Sequence, residues 1–390
     1  MLSKFTTLKI ILCLGVLDAL SIALLIVFYL TGVDSLYLVN LNFLMITVVL
    51  FLSTGGRVTP TLMRNKFVLI SLFFIVVSII KLLVTISGDY ALNTRFAFTH
   101  FYLLINALLT FIFVCSFSRK DYPRVVRIFK QYALYYLILS GGLLSIYSIL
   151  YFSGKISYFG MGSNLHYALP FFMRGSVWAL FFLVIVVSGK RAVLVNYLAQ
   201  LIMLSFHFFR TRVALSATGF MLLSVFFVCM AYWTDLFYRF EGTFDVDFED
   251  NYSLLVAFGG RFEEAVGIYD FFSAFPEKLL FGSSPGESYR WVVSSVNWYT
   301  GQETDSYDEL KNYSHVTPFS LLFRYGFVYA LGFYLYGAYL VVRYYSINAE
   351  FYLVYIGILS SSFFGANLLS DPMAWVFLAF FTRYRKIYKC

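Results

Sequence analysis

Eleven stretches of this chain stay apolar over roughly the 20 residues that an α-helix needs to cross a bilayer, more than the core of a soluble fold can absorb. They lie near residues 9–31, 36–53, 67–87, 97–117, 132–152, 169–187, 192–209, 213–232, 316–342, 351–368 and 372–381, the last being short. With 60% hydrophobic and 13% charged residues and a mean hydropathy of +0.77, the chain departs from the soluble norm of about 45–50% apolar and about 25% charged. The pattern predicts an all-α, polytopic integral membrane protein of about 11–12 transmembrane helices.

Charge is distributed as unevenly as hydropathy. Residues 233–314 hold 15 of the 21 acidic residues and 5 of the 29 Lys and Arg, a net charge of −10, whereas the whole chain is +8. The connections at 55–66 and 118–130 and the tail at 383–389 are basic, so all three are expected on the cytoplasmic side. Counting back from a cytoplasmic tail through three spans puts the acidic loop outside. Counting forward through eight spans from a cytoplasmic N-terminus puts it inside, so a missed or re-entrant helix is expected between residues 169 and 260. The resulting division is an N-terminal bundle at 1–232, a large acidic periplasmic loop at 233–315, and C-terminal helices with a basic tail at 316–390. The positive balance then speaks for anionic lipid at the membrane surface and not for nucleic acid.

The remaining features mostly exclude. The four cysteines have no CxxC spacing, and three of them fall in apolar runs, so neither a disulfide framework nor a zinc site is indicated. The basic start MLSKFTTLK is followed by a run that is long enough to span and lacks a clear cleavage site, so it reads as a retained first span. No internal repeat, P-loop, dinucleotide-binding glycine motif or HExxH sequence is present, which leaves soluble nucleotide and metal chemistry without a foothold. No cofactor is expected. The aromatic residues, 21% of the chain, suit helix packing and interfacial belts; a few loop aromatics such as Trp291, Trp298 and Tyr299 also suit sugar stacking.

Four groups of residues can carry chemistry. Arg261, in GGRFEE, stands where the loop regains helical character, with Phe262, Val266, Ile268, Phe271 and Phe272 as its apolar face. Its planar guanidinium suits a diphosphate, or else pairs with Glu263 or Glu264 at the surface. His315, beside the acidic loop at the start of a span, suits proton transfer near neutral pH, or else caps and packs the helix. Arg210 and Arg212 in FFRTRVALSATG lie between two apolar runs, which marks either an anion site at the membrane edge or an ordinary cytoplasmic turn. Of the carboxylates within the spans, Asp18 is the clear case, whereas ion-coupled transporters commonly place several such groups at midplane.

Taken together, RTRVALSATG, GGRFEEAVGIYDFF, PEKLLFGSSPG and SHVTPFSLLFRYGFVYALGF resemble the O-antigen polymerase and O-antigen ligase superfamily. The likeness is firm over residues 259–332 and thinner over 158–219. It departs from the family at Val316, where an asparagine usually follows the histidine, and after Tyr232, where a clean span is usual. The resemblance implies a GT-C-like fold and a metal-independent, inverting glycosyltransferase that polymerises undecaprenyl-diphosphate-linked repeat units of a surface polysaccharide at the periplasmic face of the bacterial inner membrane. It assigns Arg261 with Arg210 or Arg212 to the diphosphate, and His315 with Arg261 to the reacting groups. It also suggests Arg290, Trp291 and Asn164 for glycan contacts. The implied partners are the lipid-linked glycan donor and acceptor, the lipid bilayer, a chain-length regulator and a flippase. Transfer of the glycan to a lipid A core, as in the ligases, is the alternative within the family. A lipid-linked glycan flippase is the alternative of another class, and it wants a central polar cavity and internal symmetry that the sequence lacks.

Overall fold

The computed structural model describes residues 3–17, 19–31, 37–54, 66–87, 93–153, 155, 169–171, 196–197, 199–200, 203, 261–293, 307–343, 350–363 and 371–384. Within these the chain is mostly helical. In order, it forms α1 (Lys4–Leu17), α2 (Leu20–Thr31), α3 (Tyr37–Thr54), α4 (Lys66–Ser87), α5 (Thr94–Cys115), α6 (Tyr122–Phe152) and α7 (Arg261–Ala274). There follow the strands β1 (Tyr289–Val293) and β2 (Tyr307–Lys311), and then α8 (Thr317–Arg343), α9 (Glu350–Ser362) and α10 (Pro372–Tyr384).

Four stretches among the described residues are long and apolar enough to cross a membrane: Lys4–Leu24, Leu69–Ile86, Thr94–Cys115 and Thr317–Arg343. On α4 and α8 large apolar side chains such as Phe73, Val76, Leu83, Val84, Leu335 and Val342 are exposed, the condition of a face meant for lipid. The predicted first span, 9–31, is instead two helices meeting at a turn around Ala19, whose N–H bonds to the Val16 carbonyl. The predicted span at 132–152 starts ten residues earlier, because the basic PRVVRIFK continues the helix as a polar first turn or two. The runs at 169–187, 192–209 and 213–232, and with them the parity question, fall outside the described residues.

The short run at 372–381 is the most completely buried of the described helices. Every residue of α10 except Arg383 is buried, and it packs against α5 and α9. A helix apolar on all sides then belongs in the bundle core, and Phe377 and Phe380 close on Phe129 at centroid distances of 4.9 and 5.3 Å.

Contacts sort the polar connections to opposite ends of the bundle. At one end Lys4 Nζ bonds Asp121 at 2.6 Å, Arg383 Nε bonds the Phe117 carbonyl at 2.5 Å and Tyr122 Oη bonds Glu350 at 2.8 Å. The start of the chain, the basic connection after α5 and the end of α10 therefore share one side. At the other end Asn312 Nδ2 donates to the Phe96 carbonyl at 3.2 Å and Tyr325 Oη to that of His100 at 3.1 Å. The described part of the loop, residues 261–293 and 307–315, sits there, on the side opposite the connection at 118–121 and the end of α10.

The described residues are mostly helical, as an all-α membrane protein requires, and the loop adds one short hairpin to them. β1 and β2 pair antiparallel with Tyr289 opposite Lys311 and Trp291 opposite Glu309. Gly267 of α7 faces the Arg290 backbone so closely that a Cβ there would collide with its carbonyl, so the missing side chain is what lets helix and hairpin touch. Ile268, Phe271, Phe272 and Tyr289 then close over Phe323 of α8 as a second, smaller core that fixes the loop to the bundle.

Candidate functional site

The site begins with the face that α7 turns inward. Residues Glu264, Gly267, Ile268, Phe271 and Phe272 are buried, at the i, i+3, i+4, i+7 and i+8 spacing of one helical stripe, while Val266 is exposed. The predicted apolar face was thus off by part of a turn, and the correction places a carboxylate on the apolar stripe. Glu264 has no exposed surface.

Everything that carboxylate needs comes from one short segment, the end of β2 and the turn into α8. Its Oε2 accepts from the Ser314 hydroxyl and the His315 N–H, each at 2.8 Å. Its Oε1 lies 2.5 Å from His315 Nδ1 and 3.3 Å from Lys311 Nζ. An ionised carboxylate only accepts, so the Nδ1 proton occupies the short contact and Nε2 is left as the basic nitrogen. Burial by itself pushes the Glu264 carboxyl up; the hydrogen bonds and charge of His315 and the Ser314 hydroxyl outweigh it, and the net direction is down. Glu264 is therefore an anion at neutral pH, and its task is to hold the imidazole. The His315 side chain keeps 52% of its surface exposed, so the edge away from Glu264 is open to a reactant.

Lys311 completes the pair from beneath. Its side chain is only 6% exposed and its Nζ stands 3.0 Å from the centre of the Trp291 ring. Trp291 is therefore on the inner face of the hairpin, against the site. Its indole N–H is buried and has no hydrogen-bond partner among the described residues. Ser320 steadies the turn by accepting from the Ser314 N–H at 2.7 Å and donating to its carbonyl at 2.8 Å. Arg324 Nε supports the same turn by donating to the Asn312 carbonyl at 2.7 Å.

Arg261 is the first residue of α7, one turn ahead of Glu264, so their Cβ atoms are about 5–6 Å apart. Arg261 thus stands one helical turn from the carboxylate that holds His315, and Trp291 lies against the Lys311 that the same carboxylate binds. Arg290 does not join them. It alternates with Tyr289 and Trp291, opposite Leu310, and is exposed on the outer face of the hairpin. Arg210, Arg212 and Asn164 lie outside the described residues.

Glu264, Lys311 and Ser314 were missed as site residues. The legible signal was a Glu four residues before Ile268 and three before Gly267, on the stripe that ends in Phe271 and Phe272. The geometry provides a base oriented by a buried carboxylate, a guanidinium beside a helix N-terminus, and an aromatic wall with an indole donor. No family model, curated protein or solved structure matches this chain.

Proposed function

We propose that this protein is a membrane glycosyltransferase that joins undecaprenyl-diphosphate-linked repeat units of a bacterial surface polysaccharide at the periplasmic face of the inner membrane, in a GT-C-like fold. The observation that carries the reading is the Glu264–His315 pair with Arg261 one helical turn away, at the bundle end opposite the basic connections. In this mechanism an acceptor hydroxyl gives its proton to His315 Nε2 as its oxygen attacks the anomeric carbon of the donor sugar from the face opposite the diphosphate. The bond from that carbon to the diphosphate oxygen breaks. The departing lipid diphosphate carries the charge away, stabilised by Arg261 and the N-terminus of α7. Glu264 keeps His315 in the Nδ1–H tautomer and stabilises the imidazolium that forms.

The test separates binding from turnover on purified protein in vesicles. His315→Ala is expected to lower turnover by about 10²- to 10⁴-fold while donor affinity holds. If affinity falls in proportion to rate, His315 contacts the diphosphate and the general-base role is lost.

A further inference from the structure

We infer that residues 279–281, although part of the acidic loop, are seated in the hydrocarbon of the bilayer beside α4 and α8 as a short re-entrant segment. Leu279, Leu280 and Phe281 expose 41%, 53% and 47% of their surface, three consecutive large apolar side chains in a loop that is otherwise the most acidic part of the chain. Their neighbours are exposed in the same way: Ile80, Leu83 and Val84 on α4, Phe327, Val328 and Leu331 on α8. The exposed residues of the segment thus continue the surfaces that the two membrane-length helices present to lipid.

The backbone is arranged as hydrocarbon demands. Five consecutive carbonyls of this segment accept hydrogen bonds. Those of Leu279 and Leu280 take the Phe327 and Val328 N–H groups at 2.8 and 3.3 Å. Those of Phe281, Gly282 and Ser283 all take Lys81 Nζ, the last two at 3.0 and 3.3 Å. In water such carbonyls need no protein donor; in lipid an unpaired one is strongly unfavourable.

The two backbone donors come from a break in α8. Gly326 has φ 82° and ψ 176°, outside helical values, so the N–H groups just after it are released from their own helix. The Phe323 carbonyl, released likewise, accepts from the Ser283 N–H at 2.7 Å. Gly282, also at φ 82°, lies directly on the Arg324 backbone, and a Cβ on either glycine would meet the other segment's main chain. The loop therefore repairs a broken transmembrane helix.

Both anchors lie within membrane-length helices: Gly326 is nine residues, about 13 Å of helix, past Thr317 in α8, and Lys81 lies inside the apolar stretch Leu69–Ile86 of α4. Lys278, next in the chain on the water side, is neutralised by Glu287 at 2.5 Å and lies over the Phe275 ring, as suits a residue at the interface.

The test uses the full chain with its four native cysteines replaced, carrying a single cysteine at Leu280 or at the exposed Asp270, labelled with bimane and reconstituted in phosphatidylcholine–phosphatidylglycerol vesicles. Lipids brominated on the acyl chain are expected to quench the label at 280 several-fold more than the label at 270, and aqueous iodide is expected to show the reverse order. Iodide quenching at 280 equal to that at 270 would put the segment in water and overturn the inference. Quenching at 280 by neither agent would mean that protein covers it, which overturns the inference equally. A cysteine at Phe281 repeats the measurement if the Leu280 variant does not fold. None of these readouts depends on catalytic activity, so failure here leaves the glycosyl-transfer reading to its own test.

Discussion

Replacing Glu264 by Gln removes one charge from a place with no water. The amide oxygen can still accept, but its NH₂ must face two of the donors that now converge there, among the His315 N–H, the Ser314 hydroxyl, His315 Nδ1 and Lys311 Nζ. Lys311 loses its carboxylate partner and keeps the Trp291 ring at 3.0 Å. Breaking a buried pair in this way costs about 3–5 kcal/mol. At about 1.4 kcal/mol per decade, local opening becomes roughly 10²- to 4 × 10³-fold more frequent. A cysteine at the buried Val316 in a background free of the native cysteines reports that opening through its rate of thiol labelling at neutral pH. The decisive comparison is the double variant Glu264→Gln with Lys311→Met. It removes both charges, lets the methionine lie on Trp291, and is expected to return labelling to within about tenfold of the parent while turnover stays lost. If the double variant labels as fast as the single one, the uncompensated ammonium is not the cause, and the electrostatic account of the site fails.

Three further outcomes follow from the same geometry. Because the Glu264 carboxyl is held below its ordinary value, its contribution to stability is complete above the unfolded-state pKa of about 4.3 and is lost as pH falls through the lower folded value; hydrogen exchange of residues 311–316 is therefore expected to stay flat from neutral pH to about 4 after correction for intrinsic rates and to rise only below that. Gly282→Ala and Gly326→Ala each place a Cβ against the other's backbone at positive φ, at a cost of at least about 1–3 kcal/mol, and since both break one contact the double variant should lose less than the sum in denaturant midpoint. Arg261→Lys keeps the charge and loses the planar fork, so the protein should remain in the membrane and its polymer product nearly vanish; product ladders of parental intensity would remove Arg261 from the anion site.

Hydropathy found α3, α4, α5 and α8 to within three residues at either end, since length and apolarity suffice for a helix that meets lipid. It located α10 but did not show that the helix is buried on all sides, because an apolar helix looks the same in sequence whether lipid or protein surrounds it. Charge segregation located the loop and led to Arg261 and His315. It did not lead to Glu264, because Glu263 and Glu264 are equivalent in composition and only the phase of the helix decides which one is buried. Lys311 was hidden for the opposite reason: in β2 its burial depends on alternation and on Trp291 across the hairpin, pairings that no local pattern in the sequence announces. Lys81 is a single charge in an apolar run, and nothing local in the sequence announces its three carbonyl partners about 200 residues away.

That α10 occupies the middle of the bundle has a consequence for how the protein is made. It is the last described helix to leave the ribosome, yet α5 buries a face against it. Until α10 is made, the faces of α5 and α9 that pack on it stay uncovered and must be met by lipid or by insertion factors. A stop codon just before Pro372 should therefore be as damaging to assembly as a much earlier one.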